Sequence, residues 1–232
     1  MKTGSILFII FLAFMMLHIM VVASLSDNHY TSTSKYDAKT IEIDTTIAGV
    51  ASLKIERMQN VTLLYKNVTQ CTIKTRSNLK ITNQNNFVSI APDFENDIAY
   101  EIVTITLPNT LNNISLIETS ANILFENNFE NSSQIDIQAK SNAELRWLTC
   151  FEDKEKRQNI KTPIFIKATE SNFILSENLT LSHFNIDLKR NSTFSTQCND
   201  CFVEIDSLTI NTDSSSFVNA TAFVLKNAII NK

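Results

Sequence analysis

Glycine occurs twice and proline three times in 232 residues. That scarcity excludes a collagen-like chain, a Gly/Ser linker and a Pro-rich disordered segment. Three histidines, His18, His29 and His183, leave almost no raw material for a Ser-His-Asp triad or a His-rich zinc site. Four cysteines are too few for a dense disulfide scaffold of this length. Charged residues make up 19% and the net charge is -4, so the basic footprint of a nucleic-acid binder is missing. What is abundant is Asn (26), Thr (24) and Ser (22), beside a hydrophobic share of 44%. One domain of roughly 200 residues fits the length and can bury a core.

Met1 to Ala23 reads as a secretory signal peptide. Lys2 supplies the positive start, Ile6 to Val22 is apolar apart from His18, and Val21-Val22-Ala23 ends in the short residues that signal peptidase requires. Cleavage after Ala23 is the expectation. An uncleaved anchor is the alternative, since a run of about 17 apolar residues is the lower limit for crossing a bilayer. Either way the chain is exported, to the periplasm, the cell surface or the medium. Contact with a membrane would come only through the retained anchor. Residues 24–40 are polar, lack periodicity and read as a flexible leader.

From residue 41 to 232 the pattern alternates with period two. Examples are Leu53-Lys54-Ile55-Glu56, Val103-Thr104-Ile105-Thr106-Leu107, Ile135-Asp136-Ile137-Gln138 and Ile186-Asp187-Leu188-Lys189. Alternation sends apolar side chains to one face and polar ones to the other, as half-buried strands require. The second half also repeats. Polar corners at Ser120, Ser141, Ser171, Ser192 and Ser214 follow apolar strands at intervals of 21, 30, 21 and 22 residues. The long interval holds the charged stretch Phe151 to Lys161, which reads as an inserted loop at about 150–162.

Such a period predicts an all-β solenoid whose strands stack about 4.8 Å apart. The expected inward columns are Ile135, Ile164, Ile186 and Leu208, then Ile137, Ile166, Leu188 and Ile210. Stacked corner Asn side chains could form amide ladders. An antiparallel β-sandwich is the competing architecture. The absence of Asn-Gly and Asp-Gly hairpin signals favours the solenoid.

Several phrases resemble a known family. They are Ala48-Gly49-Val50-Ala51-Ser52-Leu53-Lys54-Ile55, Asn60-Val61-Thr62-Leu63-Leu64-Tyr65, Ser77-Asn78-Leu79-Lys80-Ile81, Val103-Thr104-Ile105-Thr106-Leu107-Pro108 and Ser120-Ala121-Asn122-Ile123. Over about residues 41–230 the chain is similar to the auto-transporter adhesin domain, also called the head GIN domain. The resemblance implies a right-handed parallel β-helix, exported or on the cell envelope, without enzymatic activity, cofactor or agreed catalytic residues. The chain departs from the family in placing Asn and Ser where relatives place corner glycines, and in the insertion at 150–162.

The chemistry-bearing clusters are sparse. His183 sits in a strand-like run and reads as a surface residue. Asp93, Glu95 and Asp97 alternate in one polar turn but lack the Gly-centred calcium loop. Glu152 to Arg157 alternates in sign and reads as self-neutralised. Cys198-Asn199-Asp200-Cys201 has no second C-x-x-C or nearby His, so a loop-stapling disulfide is preferred to zinc or redox chemistry. Cys71 and Cys150 are a possible second pair. Seven Asn-X-Ser/Thr sites would be glycosylation candidates in a eukaryotic host only.

No catalytic, cofactor-binding or metal-binding residue is assigned. The expectation is a non-enzymatic adhesion, binding or structural module whose partner is a protein or glycan. The alternative is a β-helix polysaccharide lyase or hydrolase. That reading needs outward groups such as Asp136, Asp187, Lys167 and Lys189 to converge in a groove.

Overall fold

A computed structural model describes residues 43–76, 78–93, 102–126, 129, 133–148, 158–175, 179–197 and 203–232. The expected signal peptide and leader lie outside them. Alternation decides the local structure. In Val61–Lys66, Val61, Leu63 and Tyr65 are buried while Thr62, Leu64 and Lys66 are half-buried. Branched and aromatic residues on alternate positions suit a pleated surface with one covered face.

The first part of the chain contains β1 (Ile43–Ala48), β2 (Ser52–Glu56), β3 (Val61–Lys66), β4 (Gln70–Thr75), β5 (Leu79–Gln84), β6 (Phe87–Pro92) and β7 (Val103–Pro108). Next come β8 (Asn113–Ile117), β9 (Ser120–Phe125), β10 (Ile135–Lys140), β11 (Glu144–Trp147), β12 (Gln158–Ile160), β13 (Ile164–Thr169) and β14 (Asn172–Leu175). The last elements are β15 (Leu179–Lys189), β16 (Thr193–Thr196), β17 (Val203–Thr212), β18 (Phe217–Asn219), the one-turn helix α1 (Ala222–Leu225) and β19 (Ala228–Asn231). The described residues are thus all-β with almost no helix, as the alternation predicts.

The strands form two large, mostly parallel sheets. The first runs β1-β4-β7-β3-β9-β11-β14-β16-β18 and the second β19-β17-β15-β13-β10-β8-β2-β6-β5. From β8 onward, β12 apart, the chain places one strand in the second sheet, turns a corner and places the next in the first. Each such pair, here called a rung, lies parallel to its successor. An antiparallel sandwich would have reversed these pairings.

Three differences from the sequence expectations have physical causes. Ile164 pairs with Phe184 and not Ile186, so the columns are Ile135-Ile164-Phe184-Leu208 and Ile137-Ile166-Ile186-Ile210. A slip of two residues keeps every side chain on its own face, so periodicity cannot detect it. Second, Asn85 and Asn86 close a β5–β6 hairpin, both at positive φ (50° and 63°). Asn tolerates that backbone and so replaces the Asn-Gly of a type I′ turn. Third, Gln158–Ile160, at the end of the expected inserted loop, is a strand paired with Leu179–Leu181. Residues 149–157 lie outside the described residues.

Rung order also departs from chain order. The β2–β3 rung lies between the β6–β7 and β8–β9 rungs: Leu53 faces Val88 and Ile114, and Leu63 faces Ile105 and Ile123. Antiparallel β1, β4 and β5 finish this end of the two sheets. Inside, aromatic rings run along the stacking direction. Tyr65 stacks on Phe125 at 4.9 Å and Phe125 on Trp147 at 4.9 Å, while Phe173 stacks on Phe194 at 5.5 Å. Phe184 meets Trp147 and Phe173 edge-on and joins the two groups. Offset-stacked and edge-on pairs of this kind add about 0.5–1.5 kcal/mol each beyond their burial.

Candidate functional site

The outward face of the second sheet carries a column of polar side chains in register: Lys54, Ser115, Gln138, Lys167, Asp187 and Asn211. Asn231 extends it, donating from its amide to Asn211 Oδ1 at 2.9 Å. This single amide-to-amide bond lies on a strand and not at the corners, where an amide ladder is expected. Lys74 meets Asp44 across β4 and β1 at 3.7 Å, and three further pairs are matched along their own strands. Lys54 reaches Glu56 at 2.7 Å, Arg146 reaches Glu144 at 3.1 Å, and Lys189 reaches Asp187 at 3.1 Å. Asp136 accepts from Gln134 Nε2 at 2.7 Å. Residues two apart on a strand share a face, so such pairs cancel locally. Asp136, Asp187, Lys167 and Lys189 share one face of the second sheet, with Lys167 directly opposite Asp187. His183 is exposed within β15.

The corners between the two sheets are built differently from any glycine corner. Arg57, Glu118, Ser141, Glu170 and Arg190 all sit at positive φ, between 51° and 54°. They follow one another along the stack. Their backbone amides donate to the next rung: Arg57 to Ile117 O, Glu118 to Lys140 O, Ser141 to Thr169 O and Glu170 to Lys189 O. Left-handed backbone costs an L-residue roughly 1–2 kcal/mol. Here the inter-rung hydrogen bonds hold it in place.

Just inside each corner lies a buried column of Met58, Thr119, Ala143, Ser171 and Ser192. Its hydroxyls satisfy backbone that the turn leaves unpaired. Thr119 Oγ1 donates to Ile117 O at 2.8 Å and accepts from the Met58 amide at 3.5 Å. Ser171 Oγ donates to Thr169 O at 2.9 Å. Ser192 Oγ donates to Lys189 O at 2.6 Å and accepts from the Ser171 amide at 3.2 Å. Sequence patterning marked Ser171 and Ser192 as polar corners. Their burial as rung-to-rung connectors was not visible in it.

The corners differ in length. The turns at Ser141-Asn142 and Arg190-Asn191 carry two successive left-handed residues, whereas the turn between them carries Glu170 alone. The longer turns project and the short one is recessed. The result is an open depression of about 440 Å³ lined by Asn142, Glu170, Ser171, Asn172, Arg190 and Asn191. All but Ser171 are exposed. Sequence reading had singled out the Ser and Asn positions but not Glu170 or Arg190, because no local rule places charged side chains in left-handed corners.

Next to the depression, Asp213 is fully engaged. Its carboxylate accepts from the Arg190 amide at 2.7 Å, Ser216 Oγ at 2.7 Å, Ser215 Oγ at 2.9 Å and the Ser215 amide at 3.1 Å. These donors, the Arg190 amide foremost, hold its carboxyl well below the usual carboxylate range. Asp213 is a corner brace, not a vacant ligand. Cys71 is buried in β4 with a free thiol that burial pushes up to about 11. Cys150, Cys198 and Cys201 lie outside the described residues, as do Glu95, Asp97 and Glu152 to Arg157. Among the described residues no cluster of three or more His, Cys, Asp or Glu could hold a metal, and no helix is long and apolar enough to cross a membrane.

The chain is similar to two solved structures, each described as a putative adhesin. One is from Bacteroides fragilis, at 12% identity and a TM-score of 0.32, covering 82% of this chain and 94% of that one. The other is from Parabacteroides merdae, at 11% identity and a TM-score of 0.28, covering 82% and 94%. No family model matches the sequence, and no curated protein matches it. At these identities the likeness assigns no residue and no ligand.

Proposed function

We propose that the chain is an exported, non-enzymatic right-handed parallel β-helix that acts as a binding or adhesion module at the cell envelope or in the medium. The observation that carries this reading is the local pairing of outward charge. Lys189 with Asp187 and Lys54 with Glu56 are matched within single strands, so these outward charges neutralise one another locally and do not converge from separate rungs. Glycosidic bond cleavage needs two carboxyl groups held across a substrate bond. A face of hydroxyls, amides and locally paired charges suits surface recognition instead. Export is supported by the apolar run that ends at Ala23. The solenoid reading is supported by the parallel register of successive rungs from β8 to β19.

The test incubates the purified chain with intact cells and with a panel of soluble polysaccharides. Retention on cells, without release of reducing ends or unsaturated products, is expected. Release of either product from any polysaccharide would replace this reading with the lyase or hydrolase alternative.

A further inference from the structure

We infer that the depression at the Glu170 corner is a binding site for a neutral saccharide. The inference rests on the binding-module reading above and gives that module a site and a ligand class. Three observations lead to it.

First, the recess is built into the stack. A one-residue corner at Glu170 lies between two-residue corners at Ser141-Asn142 and Arg190-Asn191, and the rungs are about 4.8 Å apart. Side chains from three successive rungs therefore face one opening of about 440 Å³.

Second, Glu170 and Arg190 hold left-handed backbone, with φ of 54° and 53°. Glycine adopts that conformation without steric penalty. Hydrogen bonds from the Glu170 and Arg190 amides hold that backbone, so each corner presents a side chain where glycine would present none.

Third, the polar groups are available. Among the described residues, Glu170 and Arg190 join no ion pair, although they sit on adjacent rungs. The amides of Asn142, Asn172 and Asn191 supply both donors and acceptors beside them.

The charge pattern selects the ligand. A cation would face the Arg190 guanidinium and an anion the Glu170 carboxylate. One acceptor-only group, one donor-only group and three amides suit vicinal hydroxyls, which both donate and accept. The opening is shallow, so it fits one or two sugar units of a longer chain, not an enclosed small molecule.

The experiment prints neutral, sialylated and sulfated oligosaccharides on an array. The full chain, Glu170→Gly and Asn172→Ala are applied to it, with thermal melting of each protein in parallel. The full chain is expected to bind neutral oligosaccharides. Glu170→Gly is expected to lose about tenfold or more in affinity, the scale of a hydrogen bond to a charged group. Its melting midpoint should stay level or rise by about 2 °C, because glycine relieves the corner. A purely structural role would not separate binding from stability in this way. Asn172→Ala, at an exposed strand position, tests the same site if Glu170→Gly does not fold.

Unchanged neutral-sugar binding in both variants would overturn the site. Preference for sialylated or sulfated glycans would overturn the ligand class. Retention of the chain on cells with no glycan bound would overturn this inference and leave the binding-module reading standing. Retention on neither would remove both.

Discussion

The two ends of the stack are assembled by different rules. From β10 to β17 each rung touches the rung before and the rung after it in sequence. Between β1 and β7 the order is scrambled: the β2–β3 rung is covered on one side by a later rung and on the other by a still later one. The serial part gains its contacts from near neighbours, as repeat proteins do. The N-terminal part needs residues 61 and 121 to meet before its first rung is enclosed on both sides. Loop-closure entropy rises with such separation, so this junction is the costlier one to form.

The largest expected effect breaks the serial part. Trp147→Ala removes the ring that links Phe125 to Phe184. A buried aromatic-to-Ala change costs about 3–5 kcal/mol. The melting midpoint should fall by about 10 °C or more. Amide hydrogen exchange then sharpens the comparison. Protection should fall first in β9, β11 and β14, the neighbours of that rung, and later in β1, β4 and β5. Equal loss everywhere would show that the two parts unfold as one unit.

A smaller effect compares the buried hydroxyls. Thr119 Oγ1 connects the out-of-order rung to the serial part through the Met58 amide and Ile55 O. Ser192 Oγ connects two serial rungs. Replacing either by Ala leaves a buried amide without its acceptor, at about 1–3 kcal/mol each. The sites lie three rungs apart, about 14 Å, so the losses in the double variant should add within about 0.5 kcal/mol. Chemical denaturation measures both. The Met58 contact is long, so Thr119→Ala should be the milder of the two.

Legibility in the sequence follows the same division. Period two marked the faces of Ile135, Ile137, Ile164 and Ile166 correctly, because burial of one sheet face is a local property. It did not give the partner of Ile164, since Phe184 and Ile186 share a face. It gave no hint that β2 pairs with both β6 and β8, because that arrangement is set by long-range contacts. The corner positions at Ser141, Asn142 and Asn191 were readable from their turn chemistry. Glu118, Glu170 and Arg190 were not, because left-handed backbone there is imposed by inter-rung hydrogen bonds against local preference. The depression inherits that limit: its Asn residues were marked and its charged pair was not.

A gain in stability is expected at the seam between the two parts. The Tyr65 ring stacks on Phe125, and its hydroxyl is buried without a hydrogen-bond partner among the described residues. Burial pushes that phenol well above its usual range. Tyr65→Phe keeps the stack and removes the unsatisfied polar atom. Stability should rise by about 1 kcal/mol in denaturant unfolding. A loss of similar size would reveal that the hydroxyl is bonded after all.

The smallest effect lies at the far end of the serial part and depends on pH. Asp213 braces Arg190, Ser215 and Ser216, all within its own corner and the adjacent one. Its folded carboxyl titrates below its unfolded value of about 3.9. A depressed folded value means that the folded state favours the charged form. The stabilisation is therefore complete above about pH 5 and is lost as pH falls through the folded value. Asp213→Asn keeps one acceptor oxygen but turns an amide donor toward backbone and hydroxyl donors. It should melt below the parent at pH 7, and the gap should close as pH drops below about 4. A gap that stayed constant down to pH 2 would show that the brace acts through shape alone. A nearest-neighbour stack also predicts that this change leaves hydrogen exchange in β1–β5 untouched. Altered protection there would mean that the serial and scrambled ends are energetically coupled across the whole length.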